Sequence, residues 1–179
     1  MIPSSPRRVV FFGVTGSGKS TAAQRYSAVT GLPLVEVDSD IGWLPGWVER
    51  DHAEQNRMVE EIAARDEWVF DSFYSRWSDR LIPRAEAIVA LDYPRWVSLA
   101  RLLRRTVRRM VLRERVCNGN TETLPRVVAR DSIIRWHFTS FANKKARIRA
   151  YQEAGLPVLH FTSPNQLKQW LDDAARTAG

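Results

Sequence analysis

The sequence predicts a three-layer α/β/α domain around a five-stranded parallel sheet. Strand-like and helix-like segments alternate along the chain, as βαβ crossovers require. The strand-like runs are mostly apolar rather than alternating, which is typical of sheets that helices cover on both faces. The 179 residues, 44% of them hydrophobic, suit a single domain spanning 1–179. Ligands of such folds bind beyond the carboxyl ends of the strands.

The five predicted strands are short runs rich in β-branched and aromatic residues. The first, RVVFFGV, leads into a glycine loop. The second, PLVEV, the third, EWVFD, and the fourth, AIVALD, each end at or just before an aspartate, and the fifth is PVLHF. These runs predict strands at 8–14, 33–37, 67–71, 87–92 and 157–161.

The predicted helices fill the intervals between the strands. One helix follows the glycine loop, Pro94 opens a long helix, and Pro164 lies near the first turn of the last one. We therefore predict helices at 18–29, 51–65, 94–112, 124–154 with an interruption near 139, and 164–175.

The basic charge of the chain is concentrated in one segment. The net charge is +7, and the stretch from Arg95 to Arg115 alone holds eight arginines against one glutamate. The rest of the chain therefore carries equal numbers of basic and acidic residues, and the positive charge indicates one basic segment rather than a generally basic surface.

No stretch of the sequence indicates a membrane or an oxidising compartment. The apolar runs are far shorter than a bilayer span, and the arginines near the start are not followed by the apolar region of a signal peptide. The single cysteine, Cys117, cannot form an internal disulfide. We expect a cytoplasmic protein without membrane contact.

The glycine loop matches the G-x-x-x-x-G-K-[ST] pattern in full, with a strand before it and a helix after it. Its backbone N–H groups and the helix N-terminus form a site for phosphates. Lys19 is predicted to reach the β- and γ-phosphates, Ser20 to bind Mg²⁺ and Thr21 to reach the α-phosphate. The pattern thus predicts ATP and Mg²⁺ as cofactors, bound at Gly13, Thr15, Gly16, Ser17, Gly18, Lys19, Ser20 and Thr21. By itself it does not distinguish a kinase from an ATPase, a GTPase or a nucleic-acid motor.

Aspartates follow three predicted strands. Asp38 and Asp40 come after the second, Asp71 after the third and Asp92 after the fourth. Phosphoryl transfer needs carboxylates near the metal and near the acceptor, so we assign function to the first three. For Asp92, just before Pro94, we favour a turn or cap role.

These motifs resemble the P-loop small-molecule kinases, the group of adenylate, shikimate and gluconate kinases. DSFYSR resembles the D-G-x-P-R segment of nucleoside-monophosphate kinases, although serines replace its glycine and proline. That resemblance implies that Asp71 approaches Mg²⁺ through water and that Arg76 holds the acceptor phosphate. D-S-D resembles the shikimate-type kinases, which implies Asp38 near the metal and Asp40 as hydroxyl acceptor or base.

About the first two-thirds of the chain is similar to bacterial adenylate-kinase-related proteins, some of them labelled DNA topology modulation proteins. The residues that carry this likeness are GVTGSGKS, GWLPGW, DSFYSR, LDYPRW and the arginine helix. The likeness implies a P-loop kinase fold and ATP chemistry.

The arginine helix predicts a lid over the phosphates, with a lid region of about 101–123. Arg101, Arg104, Arg105 and Arg108 fall on one stripe, opposite an apolar stripe expected to face the core. Among them we assign Arg105 and Arg108 to neutralising the transferred phosphate. Binding to nucleic acid and an ordinary solvated helix face remain as alternatives.

The function expected from the sequence is ATP- and Mg²⁺-dependent phosphotransfer to a small acceptor. DSFYSR favours a nucleotide or nucleoside, and D-S-D favours the hydroxyl of a metabolite. Trp43 and Trp47 beside D-S-D are expected either to stack on an acceptor ring or to cover the sheet. A nucleic-acid-associated ATPase and a nucleotide-binding regulator without turnover are the competing hypotheses; the sequence is silent on oligomeric state.

Overall fold

The computed structural model describes residues 2–3, 5–112, 114–121 and 133–178. Its strands are β1 (Arg8–Gly13), β2 (Leu34–Val35), β3 (Trp43–Leu44), β4 (Val48–Glu49), β5 (Trp68–Phe70), β6 (Ala87–Leu91), β7 (Arg115–Val116), β8 (Asn120–Thr121) and β9 (Val158–Phe161). Its α-helices are α1 (Lys19–Thr30), α2 (His52–Ala63), α3 (Ser78–Leu81), α4 (Arg95–Val111), α5 (Ile133–Glu153) and α6 (Pro164–Ala178).

The predicted five-stranded parallel sheet is confirmed, with strand order β2-β5-β1-β6-β9. The chain leaves β1 toward one edge of the sheet and leaves β6 toward the other. A crevice opens where neighbouring strands send their connections in opposite directions, so the carboxyl end of β1 lies at the ligand-binding point of this topology. Gly13, the last residue of β1, starts the glycine loop there.

Helices cover both faces of the sheet, and the residues of β1 explain why. Val10 and Phe12 belong to one buried apolar cluster, whereas Val9 and Phe11 belong to another on the opposite face. Successive side chains of a strand point to opposite faces, so a strand with two covered faces must be apolar throughout. The predicted three-layer arrangement is therefore confirmed.

Several predicted bounds differ from the structure. The run predicted as a strand at 33–37 is extended only over Leu34–Val35, and Val37–Gly42 forms a π-helical turn instead. The interruption predicted near Thr139 is wrong, because α5 continues from Ile133 through Glu153; residues 124–132 of that prediction lie outside the described residues.

Two antiparallel hairpins are added to the predicted elements. β3 pairs with β4, and β7 pairs with β8. Among the helices that the structure describes, none combines the length and the apolar composition needed to cross a membrane.

Candidate active site

The glycine loop is held in a conformation that its glycines make possible. Gly16 has φ +82° and Gly18, the N-cap of α1, has φ +97°. Both angles lie in the left-handed region that side chains disfavour. A Cβ at Gly16 would also lie 2.3 Å from the Ser98 carbonyl oxygen of α4. The glycine therefore lets the arginine helix pack directly on the loop.

Lys19 stands at the start of α1, inside the cleft that the loop borders. Its Nζ donates to the Val14 carbonyl oxygen at 2.8 Å. Burial lowers the pKa of Lys19 to about 8; the negative charges of Asp71 and Asp38 oppose this, and Arg105 adds to it. A lysine in such surroundings gains stability when an anion binds beside it.

Asp71 connects the glycine loop to the π-helical turn. Ser20 Oγ donates to one carboxylate oxygen at 2.5 Å, and the Val37 N–H donates to the other at 3.0 Å. The Asp71 side chain is buried, and its bond to the Val37 N–H is shielded from water, whereas the bond to Ser20 faces the cleft. Serine hydroxyl and carboxylate oxygens are the donors that Mg²⁺ prefers, and Mg²⁺ usually keeps several waters. Ser20 and Asp71 therefore fit a water-shelled magnesium ion.

Asp38 faces the same cleft and is bonded to Tyr74, whose hydroxyl donates to Asp38 Oδ1 at 2.9 Å. Solvent reaches Asp38 from the cleft, although protein surrounds it on most other sides. This enclosure raises the pKa of Asp38; the Tyr74 hydrogen bond opposes the rise, and the negative charge of Asp71 adds to it. A carboxylate with a raised pKa is a better proton acceptor for a substrate hydroxyl.

Asp40 and Asp92 lie elsewhere. Asp40 accepts the Glu36 N–H at 2.7 Å and closes the π-helical turn, so its carboxylate stabilises the turn and does not line the cleft. Asp92 lies 3.1 Å from His160 Nε2 and 3.8 Å from Lys145 Nζ, in a structural ion-pair cluster.

Arg76 lines the cleft beside Tyr74. Its guanidinium lies over the ring of Tyr74, 4.6 Å from the centroid, and bonds to Gln55 and to Glu49. These contacts hold the guanidinium in place, and Glu49 partly balances its charge.

Arginines of α4 line the cleft, but their stripe matches the predicted one only in part, at Arg101 and Arg105. Arg101, Arg105 and Arg109, spaced four residues apart, face the cleft, and Arg101 Nη1 donates to the Ser17 carbonyl oxygen at 3.2 Å. Arg108 lies outside the cleft in an ion pair with Glu114, with its side chain 65% exposed.

The expectation that the apolar stripe of α4 faces the core is wrong. Leu103, Val107 and Val111 are exposed, whereas the residues that α4 buries are Ser98, Leu102 and Thr106. Small and polar residues allow α4 to approach the glycine loop closely. The helix thereby turns cations toward the cleft beside the glycine loop.

The assembled cleft has a volume of about 1750 Å³. Nine lysines and arginines line it against four carboxylates, a balance that favours a polyanion such as a nucleoside triphosphate. Every predicted nucleotide-binding residue of the glycine loop lines it: Gly13, Thr15, Gly16, Ser17, Gly18, Lys19, Ser20 and Thr21.

No protein-family model and no curated protein sequence matches this chain. Solved structures do match. The chain has the fold of the P-loop kinases.

Three similar structures are kinases whose lengths this chain nearly matches. A gluconokinase from Sinorhizobium meliloti 1021 shares 18% identity at a TM-score of 0.52, over 97% of this chain and 94% of that chain. A shikimate kinase from Bacteroides thetaiotaomicron shares 15% identity at a TM-score of 0.55, over 97% of this chain and 98% of that chain. A deoxyadenosine kinase from M. mycoides with bound dCTP shares 9% identity at a TM-score of 0.56, over 94% of this chain and 98% of that chain. The predicted P-loop kinase fold is thus confirmed, while the likeness to DNA topology modulation proteins stays a prediction.

The P-loop cleft also contains two cations that no sequence motif marks, Lys144 and Arg147 of α5. Lys144 Nζ lies 4.4 Å from the ring centroid of Phe12, and Arg147 lies over the same ring at 5.3 Å. Burial, Lys19 and Arg147 lower the pKa of Lys144 to about 7. Their spacing, three residues apart on one helix face, is the signal that could have paired them.

Proposed function

We propose that this protein is a phosphotransferase that uses ATP and Mg²⁺ and transfers the γ-phosphoryl group to a small acceptor. The observation that carries the proposal is the Ser20–Asp71 hydrogen bond beside Lys19, at the mouth of a glycine loop in a cation-rich cleft. The similar structures named above are kinases, which supports it.

In this proposal the glycine-loop backbone and Lys19 hold the β- and γ-phosphates. Ser20 binds Mg²⁺, with Asp71 and Asp38 in its outer shell. Bound Mg²⁺ supplies charge neutralisation on the phosphate oxygens. Arg105 faces the same space and adds positive charge where negative charge develops in transfer.

We propose a nucleotide or a nucleoside as the acceptor. Trp43 and Trp47 line the cleft as an edge-to-face pair with centroids 5.7 Å apart, which offers aromatic surface to a base. Arg76 stands on the same side and suits a phosphate on that acceptor.

The second candidate acceptor is the hydroxyl group of a metabolite. The Asp38–Tyr74 pair favours it, because a carboxylate with a raised pKa can accept a hydroxyl proton. This assigns to Asp38 the role first given to Asp40, whose carboxylate is engaged in the π-helical turn.

The test begins with Lys19→Ala. ADP release from ATP is measured with nucleosides, nucleoside monophosphates, sugars and hydroxy acids as acceptors, and thermal unfolding checks that the variant is folded. We expect the variant to lose turnover while its melting temperature changes little, because within the described part of the chain Lys19 gives up one hydrogen bond, to the Val14 carbonyl. Unchanged turnover in the folded variant, or no acceptor that raises wild-type ADP release above the basal rate, would refute the proposal.

A further inference from the structure

The β7–β8 hairpin, which lies within the predicted lid region, is bound to the segment around β3. The β7–β8 hairpin carries two asparagines that bond to the backbone around β3. Asn118 Nδ2 donates to the carbonyl oxygens of Ser39 and Trp43, each at 2.6 Å. Asn120 Nδ2 donates to Leu44 O at 3.1 Å and its Oδ1 accepts the Trp47 N–H at 2.8 Å.

These bonds form a matched set rather than a casual surface contact. Asn120 is 5% exposed, and its amide uses both its donor and its acceptor side. A buried amide that is satisfied on both sides fixes one geometry, because any other placement leaves a polar group without a partner. The two asparagines lie more than 70 residues along the chain from the backbone that they hold.

Both sides of this contact are held in left-handed backbone. Cys117, Asn118 and Gly119 have φ of +41°, +65° and +84°, and Trp47 has φ +59°. Asparagine and glycine adopt such angles readily in turns, whereas at Trp47 and Cys117 they are unfavourable and persist where surrounding contacts impose them. These two residues belong to the two segments that the asparagine bonds join.

The segment held by the asparagines lines the acceptor side. Ser39, Trp43 and Trp47 are part of the cleft wall, as is Cys117 of the hairpin itself. Asp38, bonded to Tyr74, directly precedes Ser39. A shift of the hairpin would move this wall and the tryptophan pair with it.

We propose that Asn118 and Asn120 are positioning residues, a clamp that binds the β7–β8 hairpin to the backbone of residues 39–47 and fixes the acceptor wall. The inference rests on the proposed phosphotransfer for its kinetic consequence, but the clamp itself does not depend on it. The clamp lowers the KM for the acceptor and leaves ATP binding at the glycine loop unaffected.

The test uses Asn118→Asp in the full chain. The side chain keeps its size, but a carboxylate then faces two carbonyl oxygens and repels them. Asn118→Gly removes the amide without adding charge and tolerates the left-handed backbone. Gln152→Glu, an amide-to-carboxylate change on the exposed face of α5, is the matched control.

The first readout is hydrogen exchange at the Trp47 amide, which Asn120 rather than Asn118 holds. We expect exchange to accelerate about tenfold in both Asn118 variants and not in the control, because the hairpin releases as a unit. Unchanged exchange overturns the clamp. This measurement needs no acceptor, so it tests the clamp even if the wild-type protein phosphorylates nothing. A wild-type protein without phosphotransfer would refute the proposed function and not the clamp.

The second readout separates positioning from mere stability. Loss of two hydrogen bonds corresponds to an increase of about tenfold in acceptor KM, with the ATP dissociation constant changed less than about twofold. Faster Trp47 exchange with unchanged acceptor kinetics overturns the positioning role. An equal loss of ATP binding also overturns it, since that would indicate general loosening of the cleft.

Discussion

Lys144 gives the sharpest test of the cleft electrostatics. Its ammonium group lies over the Phe12 ring, near Lys19 and Arg147, and its pKa is lowered to about 7. Among the described residues, the charges that shift its pKa are the cations Lys19 and Arg147, and no carboxylate opposes them. Without a bound nucleotide, the folded protein therefore binds a proton at this site less readily than the unfolded chain. The perturbation is Lys144→Met, which keeps an unbranched side chain one atom shorter and removes the charge.

The magnitude follows from the two pKa values. An unfolded lysine titrates near 10.5 and the folded one near 7, a difference that corresponds to at most about 5 kcal/mol. The Lys144 side chain retains partial exposure to the cleft, so solvent screens part of the unfavourable electrostatic energy. We therefore expect the charge to lower the free energy of unfolding by about 2–3 kcal/mol. Between pH 7 and 10.5 the unfolded state holds more protons. The free energy of unfolding of the wild type therefore rises with pH relative to the variant, and below pH 7 the difference is constant.

The assay is urea unfolding of the ATP-free protein, followed by tryptophan fluorescence at several pH values from 6 to 10. The quantity of interest is the wild-type free energy of unfolding minus that of Lys144→Met, which cancels the titration of other groups. Lys168→Met is the control, because Lys168 is exposed and paired with Asp172. A difference that stays flat from pH 7 to 10 would refute the reasoning.

Two further predictions concern the cleft. A Cβ at Gly42 would lie 2.5 Å from the Tyr74 hydroxyl, so Gly42→Ala should displace the ring and break its bond to Asp38. We expect turnover of the acceptor to fall about tenfold while the ATP affinity is unchanged. Wild-type acceptor kinetics in this variant would contradict the prediction. Arg105 lines the cleft, so Arg105→Ala should lower kcat about a hundredfold, whereas the same change at the exposed Arg104 should not. Steady-state ADP release compares the two variants, and equal effects would place the catalytic charge elsewhere.

The sequence was sufficient for the fold and for the position of the glycine loop at the end of β1, because both depend on local signals. The glycine loop requires a strand before it and a helix after it, and apolar runs such as those of β1 and β6 identify strands buried on both faces. The position of Asp71 beside the glycine loop also follows from the sequence, since parallel strands bring their carboxyl ends to one edge of the sheet.

Other site residues depend on contacts that periodicity cannot specify. The α4 pattern offers an apolar face and a basic face, and the usual expectation turns the apolar one inward. The close approach of Gly16 to Ser98 instead turns that apolar face outward. It directs Arg101, Arg105 and Arg109 into the cleft and leaves Arg108 outside it. The resemblance of D-S-D to the shikimate-type kinases implied a role for Asp40, but the π-helical turn that directs its carboxylate to the Glu36 N–H leaves no sign in the sequence.

The contact between Gly16 and the Ser98 carbonyl has a consequence for anyone redesigning nucleotide selectivity. The obstructing atom belongs to the main chain, so no exchange of side chains along α4 makes room for a larger residue at position 16. Variation there has to come with a displaced or re-phased helix, which would also carry Arg101 and Arg105 out of the cleft. Loop and helix must therefore be engineered as one unit, by grafting the pair together rather than by scanning either segment alone.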